Sequence, residues 1–365
     1  MEPKNRLHTD EDKVNASIGR VRSRGHRLTE ETITLSHGAG GKASAALTEN
    51  VFMPVFGNGD GDAALLPQLA VAPGRLAMST DSYVVNPIQF PGGSIGDLAV
   101  NGTVNDLAML GVTEPFLTAS FILEEGLEIA TLREIVSAMG AAAEQAGAHI
   151  VAGDTKVVPQ GRGDKVYITT AGVGVTQATV GYDQVKEGDV IVVSGPIADH
   201  GMAVMMARGD LAISAPIASD TRALNGAVRA LLDLAPVDAS DHPVHFMRDA
   251  TRGGLATVLN ELARGCGLGM VIEDETVPVR EMTRAACDML GIDPLYVANE
   301  GTFVTVVAPE QADAALAVLH SAGFSEAVRI GTVQAEPAES VVLVTGFGGT
   351  RMVDMLVGDP LPRIC

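Results

Sequence analysis

The sequence predicts an α/β protein of two domains, on three observations. Its 365 residues exceed the roughly 250–300 at which a single hydrophobic core stops growing. The composition, 46% hydrophobic with 41 Gly and no Trp, suits small residues, tight turns and close packing. Short apolar runs of strand length alternate with longer stretches of helical period in both halves.

Taken in order, residues 1–33 carry mixed charge, with Lys4, Arg6, Lys13, Arg20, Arg22, Arg24 and Arg27, and few large apolar groups. They read as a disordered or loosely attached extension. A first domain spans 34–182 and a second 183–346, divided near Lys186-Glu187-Gly188-Asp189, a turn before the strand Val190–Val193. Residues 347–365 form a tail.

A net charge of −20 argues against a nucleic-acid binder, because no net basic footprint is present to neutralise phosphates. It suits a site where carboxylates hold Mg²⁺ around a polyphosphate. The three cysteines, Cys266, Cys287 and Cys365, show no C-x-x-C spacing, so neither a disulfide framework nor a zinc site is expected. No run approaches 18 apolar residues and the amino end lacks an apolar signal core; the reading is a soluble cytoplasmic protein with no membrane partner.

The first domain opens on Ile33–Leu35 and a Gly-rich turn, Ser36-His37-Gly38-Ala39-Gly40-Gly41-Lys42. Its backbone N–H groups suit a phosphate, although the spacing is neither of the standard nucleotide fingerprints and a plain turn fits as well. After Asn58-Gly59-Asp60-Gly61-Asp62 comes a strand, Leu76–Val85, with Asp81 inside it; a carboxylate there is costly unless paired or metal-bound. Gly96–Gly111 is predicted helical, with Val100, Val104, Leu107 and Gly111 on one face. Its polar arc holds Asn101, Asn105 and Asp106, where a solvated surface would favour Lys and Glu, so the short oxygen-bearing groups point to a metal or phosphate. A helix at 131–146 leads to the strand His149–Ala152 and then to Gly153-Asp154-Thr155-Lys156. A carboxylate, a hydroxyl and an ammonium directly after a strand occupy a ligand-site position in an α/β fold. Val166–Val175 is the last strand of the domain.

In the second domain Asp249-Ala250-Thr251-Arg252-Gly253-Gly254 leads a helix to about Gly265, and Asn299-Glu300-Gly301 precedes the strand Thr302–Val307. A helix at 310–322 and a strand at Val341–Thr345 follow. The Gly- and Pro-punctuated end, Val357–Pro362, cannot continue a helix and places Cys365 on a flexible arm.

These stretches together resemble the HypE family of hydrogenase-maturation carbamoyl dehydratases. That family sits in the superfamily of aminoimidazole ribonucleotide synthetase, selenophosphate synthetase and thiamine-phosphate kinase. The resemblance is carried by Ser36–Lys42, Ser79–Val85, Phe90-Pro91-Gly92-Gly93, Gly96–Gly111, Gly153–Val158, His200-Gly201, Arg248–Gly254, Asn299-Glu300-Gly301 and the terminal Pro362-Arg363-Ile364-Cys365. The extension departs from it, and Ala207-Arg208-Gly209-Asp210 stands where relatives more often have Arg-Glu-Gly.

The resemblance implies a PurM-like (AIR synthetase-like) fold, in which an N-terminal sheet pairs with that of a second subunit to form a homodimer barrel, with an α/β C-terminal domain beside it. It implies ATP and Mg²⁺ as cofactors, carbamoyltransferase HypF and a HypC–HypD scaffold as partners, and a carbamoyl group carried on Cys365 and dehydrated to thiocyanate. Asp62, Asp81, Asp106 and Asp154 match the metal and ATP acids. Gly40, Gly41, Lys42, Asn105, Thr155 and Arg252 are the further nucleotide contacts, and Lys156 and Glu300 the catalytic pair beside Cys365. The bland alternative for Lys156 and Glu300 is an ion pair ordering two loops. Competing functions are another phosphoryl-transfer enzyme of the superfamily, acting on thiamine phosphate or activating an amide, and a non-enzymatic thiol carrier.

Overall fold

The computed structural model describes residues 27–39, 41–57, 66, 69, 73–209, 215–236, 239 and 241–355. Gly40, Asp62 and Cys365 lie outside the described residues.

The first domain holds helix α1 (Lys42–Leu47), strand β1 (Arg75–Tyr83), the two-residue strands β2 (Gln89–Phe90) and β3 (Gly93–Ser94), and helix α2 (Ile95–Met109). Strand β4 (Phe116–Glu124), helix α3 (Ile129–Ala146) and strands β5 (His149–Val158) and β6 (Val166–Thr176) complete it. Its main sheet runs β1-β6-β4-β5, parallel only between β4 and β5. Every second residue of β4, Leu117, Ala119, Phe121 and Leu123, is buried, the period a half-covered strand requires. The cover is α2 and α3. Leu132, Ile135, Val136 and Met139 of α3 are fully buried, each contributing about 1.5–3 kcal/mol by leaving water. Ser94 caps α2, its hydroxyl accepting from the N–H groups of Gly96 and Asp97. The opposite face of the sheet leaves Leu76, Met78 and Ile122 exposed.

The second domain contains β7 (Val190–Val193), α4 (Asp199–Ala207), α5 (Asn225–Leu232), β8 (Val244–Asp249), α6 (Gly254–Cys266) and β9 (Gly269–Glu273). It continues through α7 (Glu281–Leu290), β10 (Phe303–Val307), α8 (Ala312–Ser321), β11 (Val328–Gln334), β12 (Val341–Val344) and β13 (Thr350–Val353). The seven-stranded sheet runs β13-β12-β9-β11-β7-β10-β8. All four residues of β7 are buried: Ile191 and Val193 join the core under α6, while Val190 and Val192 join the one under α5 and α8. A sheet covered on both faces accounts for this unbroken apolar run.

Two boundaries move. Ile33, at which the sequence reading ended the extension and opened the apolar run of the domain, is fully buried, donates its N–H to Leu127 O and accepts from Gly126 N–H. Glu31 O already accepts from Ile129 N–H, so ordered pairing begins by Glu31. At the other end, β13 pairs with β12 and Val353 O accepts from the Asn260 side chain. Four residues assigned to the tail are therefore sheet. Among the described residues no helix is long and apolar enough to cross a membrane.

Candidate active site

The two domains meet at a small cavity of about 30 Å³, room for about one water. The first domain supplies Asp81 and Tyr83 from β1, and Gly102 and Asp106 from α2; the second supplies Asp249, Arg252 and Glu300. Alternation along β1 turns Ser79, Asp81 and Tyr83 toward α2 rather than to the exposed sheet face. Ser79 Oγ accordingly donates to Asp106 Oδ2 at 2.6 Å. Gly102 is required because a Cβ there would stand 2.1 Å from the Tyr83 hydroxyl.

Four carboxyls thus share one confined space, and burial dominates the chemistry of Asp106, Asp249 and Glu300. It raises Asp106, against the opposing hydrogen bond from Ser79. It lifts Asp249 to about 7, with Asp106 adding to the effect. Glu300 is pushed well above the ordinary glutamate range, first by burial and then by the charges of Asp220, Asp249, Asp81 and Asp106. Arg252 approaches Asp81 Oδ1 at 3.5 Å and introduces positive charge at the mouth.

The Glu300 loop is tied down on every side. Asn299 accepts from Ala198 N–H at 2.7 Å and donates to Ala250 O at 2.8 Å and Val297 O at 3.1 Å. Asn105 donates to Arg222 O at 3.0 Å and Glu300 O at 3.2 Å, and accepts from Leu224 N–H at 2.8 Å. With its amide so engaged and its side chain buried, Asn105 is a clasp between domains. The sequence reading made it a nucleotide contact.

A second group forms at the far edge of the first sheet. The Gly-rich turn packs on β5 so closely that a Cβ on Gly38 would lie 2.6 Å from Val157 N. Gly41, at φ 81°, precedes the first residue of α1, the exposed Lys42. On β5, Lys156 Nζ donates to both carboxylate oxygens of Asp154 at 2.8 and 2.7 Å, which holds Asp154 below its usual range. Asp154, Thr155 and Lys156 line a broad open cleft of about 2450 Å³ together with His37, Gly38 and Ser44.

Lys156 therefore pairs with Asp154 and not with Glu300. Asp81 on β1 and Asp154 on β5 lie on opposite edges of a four-stranded sheet, three strand spacings or roughly 14 Å apart. Among the described residues Asp81 and Asp106 are not gathered with Asp154 into a single cluster, and no three His, Cys, Asp or Glu side chains are placed to hold a metal ion. The donors still fit Mg²⁺, which takes one or two carboxylates and completes its octahedron with phosphate and water. Asp81 and Asp106, crowded in one cavity, are the pair suited to it.

Two residues of this site were missed from the sequence, Asp249 and Asp220. Asp249 carries the signal used for Asp81, a carboxylate in a buried strand. Asp220 carries none, since its role is a contact 80 residues away.

The domains are those of AIR synthase related proteins: residues 60–176 match the model of the AIR synthase related protein N-terminal domain, and residues 186–344 that of the C-terminal domain. Carbamoyl dehydratase HypE of Rhodobacter capsulatus is 49% identical over 345 residues, covering 93% of this chain and 99% of that one. A solved hydrogenase maturation protein HypE in complex with ATP is 44% identical, with a TM-score of 0.83 over 92% of this chain and 100% of that one. The HypE of a solved HypE–HypF complex is likewise 44% identical, with a TM-score of 0.73 over 85% of this chain and 100% of that one. The chain belongs to the HypE family of carbamoyl dehydratases, proteins of hydrogenase maturation.

Proposed function

We propose that this carbamoyl dehydratase acts on a carbamoyl group carried by its own Cys365, converting S–C(=O)–NH₂ to S–C≡N with ATP and supplying cyanide for the iron of a NiFe-hydrogenase. The observation that carries the reading is the placement of Glu300: a buried carboxyl of raised proton affinity, fixed at the domain junction beside Asp81, Asp106 and Arg252. An amide oxygen does not leave as oxide. Transfer of the γ-phosphoryl of ATP to that oxygen releases ADP and turns it into phosphate, and the C–O bond then breaks as the N–H protons depart. Such a transfer needs positioning and charge neutralisation more than covalent help from the protein.

In this reading Asp81, Asp106 and Asp154 hold Mg²⁺ with the phosphates, and Asp62 joins them. Mg²⁺ when bound neutralises charge on the transferring group. The Gly40–Lys42 turn, Thr155 and Arg252 contact the nucleotide. Lys156 offsets charge on the oxygen being phosphorylated, and Glu300, fixed at the domain junction, takes a proton from nitrogen, the role of a positioned general base.

The opposite edges occupied by Asp81 and Asp154 fit a homodimer in which the exposed sheet face, with Leu76, Met78 and Ile122, covers its counterpart. Each complete site would then draw on both subunits. The ATP and HypF complexes of relatives support ATP as co-substrate and HypF as the partner enzyme that transfers the carbamoyl group. A HypC–HypD scaffold is the proposed acceptor, and the setting the cytoplasm.

Mass spectrometry of the C-terminal peptide, after incubation with HypF and its carbamoyl donor and then with ATP, tests the reading. The peptide gains a carbamoyl group and then loses the mass of one water. A carbamoyl group that persists in ATP would refute it.

A further inference from the structure

A carboxylate outside the cavity holds Glu300 by its backbone. Asp220 Oδ1 accepts the Glu300 N–H at 3.0 Å and Asp220 Oδ2 accepts the Gly301 N–H at 3.0 Å. Both oxygens of one carboxylate are thus devoted to two successive amides, a geometry that fixes orientation as well as distance. The contact is close enough that a Cβ on Gly301 would lie 1.8 Å from the backbone oxygen of Asp220. Arg222, two residues on, donates its Nε–H to Gly301 O at 3.0 Å. The same short segment grips the first domain: Ser219 N–H donates to Pro91 O at 2.8 Å, and Asn101 Nδ2 donates to Thr221 Oγ1 at 3.2 Å. Residues 219–222 therefore connect the first domain to the loop that bears Glu300, and Asp220 is the contact at Glu300 itself.

We infer that Asp220 is the positioning residue of the dehydration step, holding the Glu300 loop by two backbone hydrogen bonds so that the carboxyl meets the carbamoyl nitrogen. The inference rests on the reading of Glu300 as the base. Displacing a catalytic group by about 1 Å costs roughly 10²-fold in rate. Asp220→Asn keeps the size but turns an N–H donor toward a backbone N–H; Asp220→Glu keeps both acceptors and shifts them by a methylene.

The test is a double-mutant cycle in the full-length protein, carbamoylated by HypF, reading thiocyanate formation by mass and the KM for ATP. Either Asp220 variant is expected to form thiocyanate roughly 10²-fold more slowly with an unchanged KM for ATP. In the Glu300→Gln background neither should cause a further loss, because a residue acting through Glu300 has nothing left to position. Losses that multiply, a wild-type rate in both Asp220 variants, or a raised KM for ATP would overturn the inference while leaving Glu300 as base. A wild-type rate in Glu300→Gln alone would overturn the base itself, and the inference with it.

Discussion

Asn105 and Glu300 are joined across the domain boundary by a hydrogen bond of 3.2 Å, from the Asn105 side-chain amide to the Glu300 carbonyl. The next residue of the helix, Asp106, lines the same cavity as the Glu300 carboxyl. An acid of one domain and a carboxyl of the other are thereby held in fixed relation by a neighbour that enters neither role.

Asn105→Ala is expected to destabilise the fold by about 3 kcal/mol. It strands the carbonyls of Arg222 and Glu300 and the N–H of Leu224, and each buried group left without a partner costs about 1–3 kcal/mol, offset where water enters. Urea denaturation checks this. A midpoint equal to wild type would show that the clasp is dispensable.

Asp81→Asn and Asp154→Asn should each weaken binding of ATP with Mg²⁺ in calorimetric titration, since each removes a hard anionic ligand. If sites are shared between subunits, mixing and refolding the two variants together yields heterodimers with one intact site and one doubly altered. Part of the wild-type turnover then returns. No recovery would place both acids in a site built from one chain.

Much of this arrangement was legible in sequence, and the failures have definite causes. Asp81, Asp106, Arg252 and Glu300 stand in or beside elements whose period is plain, and they do meet. That Asp154 and Lys156 stand apart from them follows from the strand order β1-β6-β4-β5, a long-range pairing that local period does not encode. Asn105, expected at the nucleotide, bonds the second domain because α2 is buried on nearly every side, while the next residue of the same polar arc, Asp106, lines the cavity; local period does not encode that contact. The 350–353 strand was placed in the tail because its four residues are defined by pairing with β12, a contact that local period does not encode.

Lys156→Ala should leave stability within about 1 kcal/mol, because its pairing with Asp154 is exposed at both partners and such pairs contribute about 0–1 kcal/mol. The same variant should slow thiocyanate formation. Thermal unfolding and turnover measured side by side decide it; unchanged turnover would leave Lys156 as a surface ion pair only.

Stability should also depend on pH through Asp249, raised from 3.8 to about 7 by burial and by Asp106. Below the lower value the group is neutral in folded and unfolded chains alike. Between the two values only the unfolded chain gives up its proton, so this residue's contribution falls as pH rises through that window and is then constant. Without nucleotide or divalent cation, Asp249→Asn is expected to gain on wild type across the window by up to roughly 1.4 kcal/mol per pH unit. Urea midpoints at several pH values would show the gain, and a flat difference would contradict it.

Glu300→Gln is the most direct test of the account. The change preserves size and hydrogen bonding and removes basicity, where a positioned general base contributes roughly 10²–10⁴-fold. The measurement is the mass of the C-terminal peptide over time, with HypF, its carbamoyl donor and ATP present. The account predicts that the variant binds ATP, gains the carbamoyl group on Cys365 and then stalls, whereas wild type goes on to lose the mass of one water. Loss of water by the variant at the wild-type rate would contradict it and make Glu300 a structural residue of the domain junction.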